Sequence, residues 1–321
     1  MSSLFSTSDR KSALWNGLRN CGFLIEDAYI NGELCIRVTA PSGRLWLAGK
    51  KMSYPMNSHE VHCLAGNKQS SYRLAEQLGI MVPESIYCTD HDSLPKIESF
   101  MADRKPVVVK PLDGYQSIGL TLDVINTKQL TAALKKAWCE HHIAIVQRQI
   151  MAEEYRFTVL DGEVISVLRR ERPQVVGDGV KTIAQLVEEE NKARLLLRPE
   201  IFYPLWTKSI MNSQEVSQRV LPAGYRYILS QATMVRGGAS VYEVMCETSP
   251  YYINIAKQFA RELGAGLLAV DMFIVDHRGE GNYWFNECNT SPALKLYAAV
   301  RNHDNSSIIE RIVARTAELL R

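Results

Sequence analysis

Leu267-Leu268-Ala269-Val270-Asp271-Met272-Phe273-Ile274, then His277-Arg278-Gly279-Glu280-Gly281, then Tyr283-Trp284-Phe285-Asn286-Glu287-Cys288-Asn289 reads as two strands about a turn. With the turn centred near Gly279, Asp271 lies eight residues before it and Glu287 eight after, so the two carboxylates become cross-strand neighbours. Strand alternation puts Asn289 on the same face as Glu287. Two like charges that close repel unless a cation sits between them, and hard oxygen ligands in this number suit Mg²⁺. The competing reading is a pair of solvated surface carboxylates. Against it, Asp271 interrupts an apolar run, and a charge in such surroundings needs a partner.

Working outward, Val107-Val108-Val109 is a β-branched run fit for a buried strand, and it ends in Lys110 before the loop Pro111–Gly119. A lysine there, followed by Gly114 and Gly119, suits phosphate oxygens met by a point charge and by loop amides. Neither a Walker loop nor a G-x-G-x-x-G opening a helix is present, so a nucleotide site must be of another type. Leu120–Val124 reads as a returning strand, Thr127–Trp138 as a helix with Leu130, Leu134 and Ala137 on one stripe, and Ile143–Val146 as a further strand. Phe157–Leu160 and Val164–Leu168 flank Asp161-Gly162, a two-residue reversal. Gly177-Asp178-Gly179 turns into Thr182-Ile183-Ala184-Gln185, a capping box for a helix through Leu186–Leu196, and Tyr251–Leu263 is helical. The stretch 197–219 has weak periodicity and no assignment. Toward the N-terminus, Leu34–Ala40 and Arg44–Ala48 form a hairpin about Pro41-Ser42-Gly43, and Asn67 caps a helix that Gly79 closes.

The chain of 321 residues is 46% hydrophobic and 22% charged, which excludes low-complexity disorder. Its 37 basic and 35 acidic side chains leave a net charge of +2, giving no reason to expect nucleic-acid binding by the chain as a whole. No run of 18 apolar residues occurs and Met1–Arg10 is polar, so the reading is a soluble, cytoplasmic chain with no membrane partner. Seven cysteines lie scattered with no C-x-x-C pair and read as reduced thiols. His59-Glu60-Val61-His62-Cys63 carries metal-ligand chemistry, but no second half of such a site is visible.

Taken in order, Asn67-Lys68, Val109–Gly114, Glu154-Tyr155-Arg156, Val175–Gly179, Arg236-Gly237-Gly238-Ala239-Ser240 and Asp271 with Asn286–Pro292 resemble the ATP-grasp superfamily. The resemblance is closest to the ATP-grasp region of cyanophycin synthetases and bifunctional glutathione synthetases, and covers roughly residues 67–297. It implies an α+β fold in which two lobes grip ATP: residues 67–321 as the ATP-grasp domain, with a mobile lid over about 104–150 and a lobe over 151–321. Residues 1–66 stand as a small N-terminal β-containing lobe.

By the same resemblance, Lys68 and Lys110 hold ATP phosphates beneath a lid loop bearing Gly114, Ser117 and Gly119. Gln147, Arg148 and Ile150 form the hinge that receives adenine, and Glu154 grips the ribose. Asp271, Glu287 and Asn289 bind Mg²⁺, as two ions, with Mn²⁺ a substitute. Arg156, Arg236, Gly237 and Gly238 lie near the substrate carboxylate, unless Arg156 forms a surface ion pair with Glu153 or Glu163. The implied activity is an ATP-dependent carboxylate–amine ligase that acts on an amino acid or peptide through an acyl phosphate, with Lys110, Arg156 and Arg236 catalytic. A homodimer is expected by analogy. A small-molecule kinase or a nucleotide-binding module without turnover are the alternatives. The sequence departs from the pattern with Gln147 at the hinge in place of Glu, and Gln116 in the lid in place of His. Leu229 and Thr233 stand where relatives carry Arg and Asn. The Mur-ligase-like domain of cyanophycin synthetases and the long N-terminal catalytic region of bifunctional glutathione synthetases have no counterpart in these residues.

Overall fold

The computed structural model describes residues 12–31, 33–48, 54–92, 94–103, 105–113, 118–197, 203–205 and 213–321. Two antiparallel sheets position the site. The larger has the order β12-β9-β8-β13-β14, built from β8 (Glu153–Leu160), β9 (Glu163–Glu171), β12 (Ser240–Glu243), β13 (Leu267–Ile274) and β14 (Tyr283–Asn289). The smaller has the order β4-β7-β5-β6, from β4 (Ser85–Thr89), β5 (Val107–Pro111), β6 (Thr121–Val124) and β7 (Ile143–Arg148). This layer begins at Ser85, upstream of the expected start near residue 104. Residues 149–152, between β7 and β8, are the link from one sheet to the other.

Each face of the larger sheet is covered by something different, which is why its central strands read as continuous apolar runs. Phe157, Val159, Val270, Met272 and Phe285 pack on the helix Pro250–Leu263, whose buried stripe includes Tyr252, Ala256, Phe259 and Leu263. That helix starts on a Ser249 cap with Pro250 in its first turn and stops at Gly264, whose φ is +74°. On the other face, Leu160, Leu168, Val241 and Leu267 join a core with β2 (Glu33–Thr39), its neighbours β1 (Leu24–Ile30) and β3 (Leu45–Ala48), α1 (Ser12–Asn20), and the helix Ser306–Leu320. The N-terminal strands therefore share their core with the last helix and do not close on themselves. Gly17 makes the crossing possible, because a β-carbon there would stand 2.7 Å from the methyls of Val313. The two helices α2 (His59–Gly66) and α3 (Lys68–Gln77) belong to the other core, through Val61, Ala65, Tyr72 and Ala75.

Most local signals act as their chemistry requires. Asn67 accepts from the Ser70 amide at 2.9 Å and Gly79 takes φ +71° at the end of α3. Asp161 and Gly162 both have positive φ in the β8–β9 turn. Thr182 and Gln185 bond reciprocally at the head of α6 (Ile183–Leu197). A further antiparallel pair, β10 (Gln174–Val176) with β11 (Arg226–Ile228), packs with α6 in a small core of its own. Of the unassigned stretch 197–219, the described part includes a short helix, Gln214–Ser217.

Candidate active site

Strand alternation divides one face of the larger sheet into an apolar end and a charged end. Along β8, Thr158 and Leu160 meet the core shared with the N-terminal strands, whereas Arg156 and Glu154 extend the same face beyond it. Thr158 and Tyr297 mark the border with a hydroxyl–hydroxyl bond of 2.6 Å. Asp271 stands opposite both Arg156 on β8 and Glu287 on β14, and Asn289 stands opposite Ala269. The pairing of Asp271 with Glu287 depends on a bulge. Met272 faces Phe285 and the next pair along is Asp271 with Glu287, so Asn286 is the extra residue. The Asn286 side chain donates to Glu154 at 3.2 Å.

Arg156 and Asp271 form a buried, two-pronged pair, Nε to Oδ1 at 2.7 Å and the second nitrogen to Oδ2 at 2.6 Å, with residue exposures of 7% and 1%. Arg170 reaches the same carboxylate at 3.5 Å and Glu154 at 3.2 Å. Thr233 donates its hydroxyl to Glu154, which is 4% exposed. Burial alone would push the Asp271 carboxyl up, but Arg156 and Arg170 outweigh it and hold the pKa below the usual carboxylate range.

The smaller sheet brings the lysines. On β5, Val107 and Val109 enter the core beneath α5 (Thr127–Trp138), so Val108 and Lys110 project from the opposite face, across from Gln147 and Ile145 of β7. Lys110 Nζ donates to the Tyr72 hydroxyl at 3.3 Å, and Gln147 donates to the same oxygen at 3.0 Å and to Ser85 at 2.9 Å. Burial raises the Tyr72 pKa to about 12, so the hydroxyl stays neutral. Lys68 sits in the first turn of α3. Burial depresses the pKa of both lysines, while Glu287 draws each back up and Lys110 lowers that of Lys68 further. Two lysines from different elements thus share the field of one carboxylate on β14.

The other expected positions fall as follows. Arg148 donates to Glu84 and Asp103 and lies over the Phe100 ring, and its amide is bonded to the Glu84 carbonyl. Ile150 lies in the link between the sheets. Gly119 has φ +74° and would drive a β-carbon to 3.0 Å from Pro111. Gly114, Gln116 and Ser117 lie outside the described residues. The fork of Arg156 is occupied by Asp271, and neither Glu153 nor Glu163 is its partner, so the surface ion pair weighed from the sequence is not formed. Arg236 is exposed in a short turn, Val235–Gly237. Gly238 is packed against Leu205, where a β-carbon would meet Cα at 2.7 Å. His59 and Cys63 contact each other at 3.4 Å on α2, while His62 turns away to Thr290, so the five-residue cluster does not converge. Among the described residues no three His, Cys, Asp or Glu side chains group for a metal. The Asp271–Glu287–Asn289 set, with an amide as its third member, is of another composition.

Arg170 and Tyr72 are the participants that sequence reasoning missed. Arg170 sits in Leu168-Arg169-Arg170-Glu171, which looks like a strand dissolving into solvent, yet continued alternation from Ser166 and Leu168 carries it to the charged end. Tyr72 is one turn after Lys68 on α3, and that i, i+4 spacing was the available signal.

No family model matches the chain. The glutathione biosynthesis bifunctional protein of Streptococcus mutans is 28% identical over 273 residues, covering 81% of this chain and 36% of that protein. Cyanophycin synthetase of Trichormus variabilis is 27% identical over 253 residues, covering 74% of this chain and 27% of that protein. This chain thus spans little more than a third of the length of the first relative and less of the second. Among solved structures, a bifunctional glutathione synthetase from Pasteurella multocida superposes with a TM-score of 0.62 at 20% identity, over 98% of this chain and 45% of that one. VanG D-Ala:D-Ser ligase from Enterococcus faecalis superposes at 0.53 and 18% identity, over 82% of this chain and 64% of that one.

Proposed function

We propose that this chain, which has the ATP-grasp fold and is related to bifunctional glutathione synthetase and cyanophycin synthetase, is an ATP-dependent carboxylate–amine ligase. The observation that carries the reading is the field of Glu287 acting on Lys68 and Lys110 together, beside the charged end of the larger sheet. Lysines with depressed pKa values and a ready anion are matched to a group that brings more negative charge than Glu287 supplies, such as a triphosphate.

Asp271, Glu287 and Asn289 offer only oxygen, which fits a hard divalent cation such as Mg²⁺. Each Asp271 oxygen that accepts an Arg156 N–H keeps a further lone pair, and the Asn289 oxygen, which accepts from the Ser291 amide at 2.7 Å, does likewise. A cation bound there would neutralise charge on the phosphates in transfer. The residues do the remainder by placement. Lys68 and Lys110 fix phosphate oxygens, Gln147, Arg148 and Ile150 are assigned to the adenine side, and Glu154 is assigned to the ribose. Arg156 and Arg170 are positioning residues that keep Asp271 ionised and aimed. Arg236 is assigned to the carboxylate of the acyl donor.

In the reaction, a carboxylate oxygen attacks the γ-phosphorus of ATP and ADP leaves with the bridging oxygen. An amine then attacks the acyl carbon, phosphate departs and the amine proton passes to solvent or phosphate. The donor is an amino acid or a peptide. The test is hydroxylamine trapping with a panel of amino acids and short peptides. A hydroxamate formed by wild type and reduced at least a hundredfold by Glu287→Gln supports the ligase. ATP consumption with a phosphorylated alcohol and no hydroxamate overturns it in favour of a kinase.

A further inference from the structure

On β9, adjacent arginines face opposite ways. Arg170 stands in register with Glu154 and Val241 and belongs to the active-site face, whereas Arg169 stands with Tyr155 and Tyr242 on the other. Behind the sheet, Arg169 opens into a cavity of about 550 Å³ between β9, β10, α6 and β12, a size suited to a small-molecule ligand. Four arginines and three glutamates line it. One of the glutamates, Glu189, is bound at 2.8 Å by Lys181, so positive charge is in excess.

The guanidinium groups are unequally satisfied. Arg194 is fully engaged, with Glu190 at 2.8 Å, two backbone carbonyls and Ser240. Arg301 shares two of these partners, Glu190 at 2.6 Å and Ser240 at 3.2 Å, both through a single nitrogen. Arg226 reaches Glu171 only at 3.4 Å, from an exposed position on the rim. Arg169 lies over the Tyr242 ring, its nearest carboxylate oxygen is Glu153's at 3.7 Å, and its buried Nε has no hydrogen-bond partner. A buried donor of that kind is destabilising while unmet. Any acceptor oxygen would meet it, and an anionic one would also answer the excess of positive charge.

We propose that this cavity is a second binding site, separate from the nucleotide site, for a small polyanion held by Arg169, Arg301 and Arg226. The shared chemistry is two or more anionic oxygens spaced to bridge guanidinium groups, from either carboxylates or phosphates. Two probes separate the sources: a tri-glutamate peptide and inorganic pyrophosphate, each titrated calorimetrically into the full chain without metal. Lys110→Met is titrated in parallel, because pyrophosphate also suits the nucleotide site.

Uptake of at least one probe that survives in Lys110→Met, and weakens at least tenfold in Arg169→Gln, is the expected result. Arg226→Gln, on the exposed rim, should weaken it several-fold and serves as the test if Arg169→Gln lowers the melting temperature. Uptake of the peptide alone assigns a carboxylate ligand, and of pyrophosphate alone a phosphate. No uptake of either probe, or uptake abolished by Lys110→Met and untouched by the two arginine variants, overturns the proposal.

Discussion

Replacing Arg156 with Gln, in metal-free buffer, tests whether the charged end of the sheet holds itself together. The substitution removes both N–H donors from Asp271, at 2.7 and 2.6 Å, and leaves a carboxylate that is 1% exposed. Breaking a buried pair from one side costs about 3–5 kcal/mol. Arg170, 3.5 Å from the same carboxylate, remains, so the low end, about 3 kcal/mol, is expected. The assay is urea denaturation at several pH values. In wild type the folded-state pKa of Asp271 lies below its unfolded value, because Arg156 and Arg170 outweigh the effect of burial. Its contribution is therefore complete above the unfolded carboxyl pKa of about 3.9 and fades as pH falls through the lower folded value. In the variant the buried carboxylate has lost its main partner, its pKa rises, and protonation relieves the penalty. The stability gap should be widest near pH 7 and narrow toward pH 4. Adding Asp271→Asn should recover part of the loss, a coupling of about 1–3 kcal/mol. A gap independent of pH, with the two single losses simply adding, would refute the reasoning.

Three further outcomes follow from the geometry. Lys110→Met should weaken calorimetric ATP binding at least tenfold, about 1.4 kcal/mol, with circular dichroism unchanged. Tyr72→Phe removes the oxygen that Lys110 and Gln147 share, orphaning buried donors, and should cost about 1–3 kcal/mol in urea denaturation. Gly238→Ala should destabilise by more than about 1 kcal/mol, since φ is +95° and the new methyl meets the Leu205 backbone. Gly237→Ala, in the same turn with only an ordinary contact 3.9 Å away, should stay within about 0.5 kcal/mol, both variants being compared by urea denaturation.

The opposition of Asp271 and Glu287 was legible because symmetric counting about Gly279 lands on the right pair. Local chemistry does not predict the bulge at Asn286. Pairs nearer the turn follow a count one residue shorter, and only the extra residue restores the match. Caps and reversals were equally readable, since Asn67, Asp161-Gly162 and Thr182–Gln185 act within a few residues of themselves. What could not be read is long-range. The partner of Arg156 lies 115 residues away, and nothing within its own strand distinguishes a guanidinium aimed at Asp271 from one aimed at a ligand. Nor could the β10–β11 pairing be seen, since its strands of three residues lie on either side of α6 and the unassigned stretch.

The interlock between α1, the first three strands and the helix Ser306–Leu320 has a consequence for how the molecule is made. Residues 12–48 must wait for residues 306–320 to be made before their apolar side is covered. Growth from the N-terminal side therefore leaves a sticky ledge while the intervening residues are made, a stage at which holding factors would be useful. Synthesis of the helix Ser306–Leu320 closes that ledge, so the early and late segments act as clasp and catch of one core.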